Sequence, residues 1–117
     1  MSDLRVIVVD DEMLAREGLV ELLEPHDGLD VVGAFPDGPT AIPGIESAKP
    51  DVVFVDVQMP GMTGFELVEA LDVDPLPAIV FVTAYDEYAI RAFEVNAIDY
   101  LLKPVSTERL AQTVARV

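Results

Sequence analysis

The chain reads as an α/β protein: a doubly wound, five-stranded parallel sheet with flanking helices. Three observations predict this. Five short apolar runs of strand length alternate with stretches of helical spacing. The runs are apolar at successive rather than alternate positions, as strands buried on both faces require. Helical connections between successive strands favour parallel pairing beneath two helical layers. The third run, Val52-Val53-Phe54-Val55, ends in Asp56 and a Pro60-Gly61 turn, and the first ends in Asp10-Asp11-Glu12. Open α/β sheets carry their ligand chemistry at these carboxyl ends of strands.

In chain order, Leu4 to Val9 is the first strand, rich in β-branched residues. Asp11 or Glu12 can cap the helix that follows, whose stripe comprises Leu14, Gly18 or Leu19, Leu22 and Leu23, with Arg16, Glu17, Glu21 and Glu24 largely outside. Pro25 to Gly28 stops it, and His26 in that turn reads as a solvated surface residue. Asp30 to Ala34 is a short edge strand. The second helix is a poor one: Pro39 suits its first turn, but Pro43-Gly44 predicts a kink or shortening, with Ala41, Ile42, Ile45 and Ala48 toward the sheet. Lys49-Pro50 closes it before the central strand.

Thr63 or Gly64 starts a third helix carrying Phe65, Leu67, Val68 and Leu71. After a turn with two prolines, Ala78 to Val82 forms the fourth strand and ends at Thr83-Ala84. Asp86 or Glu87 opens a fourth helix, with Ile90, Phe93 and Ala97 assigned to the core and Tyr88, Arg91 and Val95 elsewhere. Ile98 to Leu102 is the fifth strand, broken by Lys103-Pro104. Ser106 or Thr107 caps a last helix containing Leu110, Val114 and Val117, whose spacing gives no sign of stopping at the final residue.

At 117 residues the chain fits one domain. Its net charge of −15 argues against nucleic-acid binding by this segment and against anionic membranes, since both need a basic surface. The same field favours a cation or a basic protein surface as partner. No apolar stretch is long enough to cross a bilayer, and no leader pattern is visible. The absence of cysteine excludes disulfides and thiol chemistry and fits a cytoplasmic protein.

In a doubly wound sheet, Asp10, Asp11, Asp56, Thr83 and Lys103 converge on one rim. Three carboxylates brought together repel unless a cation intervenes. A hard, oxygen-seeking ion such as Mg²⁺ meets that need and leaves room for phosphate oxygens; no pattern suggests zinc. Asp56 would then be a nucleophile toward phosphorus, Thr83 a hydrogen-bond donor to a peripheral oxygen, and Lys103, one of two lysines, a partner of carboxylate and then phosphate.

These residues, with Gln58, Met59, Pro60, Gly61 and Gly64 around the central aspartate, resemble the receiver domain of two-component response regulators. The run from Phe81 to Pro104 is similar to the branch whose receivers precede a LytTR-type (LytR/AlgR-like) DNA-binding domain. The resemblance spans residues 1–117 and implies the flavodoxin-like strand order 2-1-3-4-5. A sensor histidine kinase would donate its phosphoryl group to Asp56. Asp11 and Asp56 would ligate Mg²⁺ (or Mn²⁺), Asp10 would act mainly through a metal-bound water, and the backbone carbonyl of Gln58 would add a ligand. Lys103 would contact the phosphate, with a cis bond to Pro104. Thr83 would move toward the phosphoryl group, and Tyr100 would turn from outward to buried.

That movement would change the face formed by the fourth helix, fifth strand and fifth helix, through which receivers commonly dimerise. Gln58 and Tyr85 occupy the two positions that influence how readily water reaches the acyl phosphate. The resemblance also implies that the chain stops inside its last helix, with a DNA-binding output domain absent. Two other readings stand beside the phospho-accepting switch. One is a phosphorylation-independent interaction module. The other is a Mg²⁺-dependent phosphatase, disfavoured because Val57-Gln58 leaves no second aspartate two residues after Asp56.

Overall fold

The computed structural model describes residues 3–117. Strands β1 (Leu4–Val9), β2 (Leu29–Phe35), β3 (Val52–Val55), β4 (Ala78–Thr83) and β5 (Asp99–Leu102) alternate with helices α1 (Met13–Leu23), α2 (Gly38–Ala48), α3 (Gly64–Ala70), α4 (Ala89–Glu94) and α5 (Thr107–Val114). The strands form one sheet in the order β2-β1-β3-β4-β5, and every pair is parallel. This is the predicted architecture, with β2 at an edge.

The apolar runs explain the two-sided sheet. Ile7, Val9, Val53, Val55, Ile79 and Phe81 face a core shared with Ala41, Ile45, Phe65, Leu67 and Ala92 of α2, α3 and α4. The intervening Val6, Val8, Val52, Phe54, Val80, Val82 and Leu101 face Leu19, Leu23 and Leu110 of α1 and α5. Strand residues alternate between these cores because successive side chains point to opposite faces. Each fully buried Val, Leu or Phe contributes about 1.5–3 kcal/mol of transfer free energy.

Several local expectations change in the structure. α2 runs unbroken from Gly38 to Ala48 with Pro43 inside it. Pro43 is the sixth of the eleven helical residues, where its missing amide removes one bond, to the Pro39 carbonyl, and buried Ala41 and Ile45 hold the helix to the sheet across that gap. Its neighbour Gly44 permits close packing: an added Cβ would stand 2.3 Å from the Phe35 ring. Asp37 caps the helix by accepting from the Thr40 amide at 2.9 Å.

In α1, Leu19 and Leu23 are buried but Leu14 is 80% exposed, so the inward stripe begins a turn later than its spacing implies. Glu12 occupies the N-cap position without a side-chain cap, and its backbone instead donates to Asp10 Oδ1 at 3.0 Å. α4 is turned relative to expectation. Ile90 and Phe93 are 77% and 67% exposed, whereas Ala92 is buried and Tyr88 and Val95 pack on the core; Ala97 does pack inward. Residues 88, 92 and 95 share one helical face, and Phe65 fixes it. The Tyr88 ring meets Phe65 edge-on at 6.2 Å, and the Arg91 guanidinium lies over Phe65 at 4.2 Å.

Candidate functional site

Strand register assembles the site. β1 and β3 are paired with Val9 opposite Val55, so the next residues, Asp10 and Asp56, emerge side by side. This is also where the strand order reverses, since β2 and β3 lie on opposite sides of β1. The Asp56 amide donates to the Val9 carbonyl at 3.0 Å, extending the ladder into the site. On the other flank Thr83 pairs with Leu102, and the Lys103 amide donates to the Thr83 carbonyl at 2.9 Å. The Lys103–Pro104 peptide bond is cis, as the resemblance implies.

The loop after β3 is fastened beneath the site by buried Val57 and Met59. Gly64 allows α3 to start directly against Asp56: a Cβ there would lie 2.3 Å from the Asp56 carbonyl oxygen. Thr63 caps α3 in a reciprocal arrangement with Glu66, at 2.9 and 3.1 Å. The Gln58 amide then turns back to donate to Asp56 Oδ1 at 3.2 Å.

Charge is concentrated here. One carboxylate oxygen each from Asp10, Asp11 and Asp56 lies within 4.8 Å of the others. Asp10 and Asp56 are buried and Asp11 is exposed. Lys103 Nζ bridges the two buried acids, 2.7 Å from Asp10 Oδ2 and 2.9 Å from Asp56 Oδ2, with Glu12 Oε1 at 3.9 Å. Burial raises the Asp10 pKa, against the opposing effects of Lys103 and the Glu12 amide. For Lys103, burial disfavours the ammonium, but hydrogen bonds to Asp10 and Asp56 outweigh it and raise the pKa.

The donor chemistry fits a hard divalent cation: three carboxylates, one of them exposed and without a side-chain partner among the described residues. Both Asp10 oxygens are engaged, by the Glu12 amide and Lys103. Both Asp56 oxygens are engaged as well, by the Gln58 amide and Lys103, so Asp11 is the one of the three acids whose oxygens have no partner among the described residues.

Thr83 is fully buried, and its Oγ1 has no hydrogen-bond partner among the described residues. A buried hydroxyl left unpaired costs about 1–3 kcal/mol, a cost that an oxygen acceptor brought to this atom would relieve. The Tyr100 ring is half-buried against the core, and its hydroxyl donates to the Tyr85 carbonyl in the loop after β4. Burial raises the Tyr100 pKa. Tyr85 and Gln58 are exposed, and the Gln58 side-chain amide donates to the Tyr88 hydroxyl.

Three contributors escaped sequence reasoning. Arg16, assigned to the outer face of α1, donates to the Asp10 carbonyl at 2.7 Å and ties the helix to the acidic loop. Its position one turn into a helix that follows the acidic run was the available signal. Tyr88 was placed off the core by the wrong helical phase. Arg109 was unassigned, yet it makes a two-pronged pair with buried Asp99 at 2.7 and 3.0 Å, where the Thr113 hydroxyl also donates at 2.7 Å. That network fastens α5 to β5 beside Tyr100, whose amide donates to Asp99 Oδ1 at 2.9 Å.

Residues 6–115 match the family model of the response regulator receiver domain. The chain is 54% identical over 114 residues to an uncharacterized response regulatory protein of Yersinia pestis, covering 97% of this chain and 48% of that protein. Identity to the transcriptional regulatory protein BtsR of Salmonella typhi is 48% over 114 residues, again 97% and 48% of the two chains. The chain thus spans about half the length of the curated relatives it matches. Among solved structures, the response regulatory domain of mrkE from Klebsiella pneumoniae is similar with a TM-score of 0.85 at 35% identity, covering 95% of this chain and 92% of that one.

Proposed function

The chain belongs to the response regulator receiver family, and from that premise we propose a phospho-accepting switch in which Asp56 takes a phosphoryl group from a sensor histidine kinase. The observation that carries this reading is a buried carboxylate at the reversal of strand order, flanked by Asp10 and Asp11 and bonded to Lys103. An Asp56 oxygen attacks phosphorus, the bond from phosphorus to the donor's imidazole nitrogen breaks, and the imidazole leaves with the electron pair.

Asp11, Asp56 and the backbone carbonyl of Gln58 would hold Mg²⁺ or Mn²⁺, with Asp10 acting through a water. When bound, such an ion neutralises charge on the transferring oxygens. Lys103, already hydrogen-bonded to Asp56, supplies a positive charge that can follow a phosphoryl oxygen. The unpaired Thr83 hydroxyl donates to another of those oxygens. Moving Thr83 changes the space beside β5, so the Tyr100 ring responds and the face of α4, β5 and α5 alters. Ile90, Phe93 and Leu102 expose apolar surface on this face, in keeping with pairing of two copies.

The chain spans about half the length of the curated relatives it matches, which leaves room in them for a further domain. We assign this chain to the LytTR-type branch, with a DNA-binding output outside the present sequence and a cytoplasmic setting. No helix among the described residues is long and apolar enough to cross a membrane.

Incubation with a small acyl-phosphate donor and Mg²⁺, followed by intact-mass measurement, tests the reading. One phosphoryl addition is expected, absent in Asp56→Asn and after chelation. A folded wild-type chain that gains none favours the phosphorylation-independent module, and multiple turnover of a phosphate ester favours a phosphatase.

A further inference from the structure

Gln58 is attached to the nucleophile at one end and to α4 at the other. Its backbone amide donates to Asp56 Oδ1 at 3.2 Å, while its side-chain amide donates to the Tyr88 hydroxyl. That hydroxyl is a fixed acceptor because the ring is wedged: it meets Phe65 edge-on at 6.2 Å and 66°, and Tyr85 at 6.2 Å and 79°. Phe65 is in turn packed on Phe81 of β4 at 4.8 Å. Tyr88 therefore joins the loop after β3 to the start of α4, beside Tyr85, whose carbonyl accepts from the Tyr100 hydroxyl.

We propose that Tyr88 is a positioning residue for the lifetime of the phosphorylated state, holding the Gln58 side-chain amide so that it does not orient an attacking water. This rests on the reading of Asp56 as phosphoacceptor. Hydrolysis would proceed by attack of water oxygen on phosphorus, with cleavage of the bond between phosphorus and the Asp56 oxygen. The Asp56 carboxylate leaves with the electron pair, and the proton released by water passes to solvent. An amide free of Tyr88 has two N–H donors and a carbonyl acceptor with which to bind and align that water. Engaged with the phenol, it is directed toward α4.

The test compares decay of the phosphorylated chain in wild type, Tyr88→Phe, Gln58→Ala and the double variant, together with hydrogen exchange of the Gln58 side-chain NH₂ by NMR. Tyr88→Phe keeps the ring and removes only the acceptor. It is expected to shorten the phosphoryl lifetime about fivefold, the kinetic equivalent of one neutral hydrogen bond. The double variant is expected to decay like Gln58→Ala, and Gln58 NH₂ exchange to quicken in Tyr88→Phe. An unchanged lifetime in Tyr88→Phe, or the same shortening when Gln58 is already alanine, overturns the inference. So does unchanged NH₂ exchange, which is read without phosphorylation. A wild-type chain that accepts no phosphoryl group instead overturns the phosphoacceptor reading, and this inference with it.

Discussion

Lys103 Nζ lies 2.9 Å from Asp56 Oδ2, joining the residue after β5 to the residue after β3 across the intervening strand β4. The contact is a charge-assisted hydrogen bond between partly desolvated groups, and Asp10 shares the same ammonium at 2.7 Å. One lysine therefore offsets the repulsion of two buried carboxylates. Replacing it with a neutral side chain of similar length leaves both uncompensated.

Lys103→Met is thus expected to lower stability by about 2 kcal/mol in metal-free buffer. A divalent cation that binds the folded acids stabilises by mass action. Mg²⁺ should raise the melting temperature of the wild type, and should raise that of Lys103→Met by more, because no ammonium offsets the acids there. Thermal melts with and without Mg²⁺ check this. Equal, negligible responses in both proteins would count against a cation site at these residues.

The Asp99 network predicts a pH dependence away from the site. Burial works against the Asp99 carboxylate, but hydrogen bonds from Arg109, Thr113 and the Tyr100 amide prevail and bring its pKa from 3.8 down to about 2. A depressed folded-state pKa means the unfolded chain binds the proton more readily. The stabilisation is therefore present above pH 3.8 and is lost as pH falls from there through about 2. Asp99→Asn should cost on the order of 2 kcal/mol near neutrality. It should also flatten the stability change between pH 4 and pH 2, which chemical denaturation across that range would measure.

Helix phase gives a third expectation. Leu19 is buried and Leu14 exposed on the same helix, and on α4 the large apolar residues Ile90 and Phe93 are exposed. Leu19→Ala should destabilise by about 2–5 kcal/mol. Leu14→Ala and Phe93→Ser should stay within about 0.5 kcal/mol. Phe93→Ser should also weaken any self-association through α4, β5 and α5, as read by sedimentation equilibrium of the phosphorylated protein.

The sheet was legible because runs such as Val52 to Val55 admit few alternatives: they are strand-length, apolar at every position and bounded by polar residues. Asp10, Asp56, Thr83 and Lys103 were legible for the same reason, since each ends or follows such a run. α4 was less so. A helix of six residues has too few apolar positions to define its phase, and the burial of Tyr88 depends on Phe65, far away in sequence. The continuity of α2 through Pro43 likewise depends on tertiary packing that propensity does not contain. Arg16 and Arg109 were hidden because ion pairs and carbonyl contacts between elements leave no periodic trace.

The most direct measurement locates the phosphoryl group. After treatment with a small acyl-phosphate donor and Mg²⁺, borohydride reduction of an aspartyl phosphate yields homoserine, which peptide mass analysis assigns to a residue. Homoserine at position 56, abolished by chelation of the metal, is the predicted result. Reduction at Asp10 or Asp11 with Asp56 untouched, or no homoserine in the folded protein, would contradict the account.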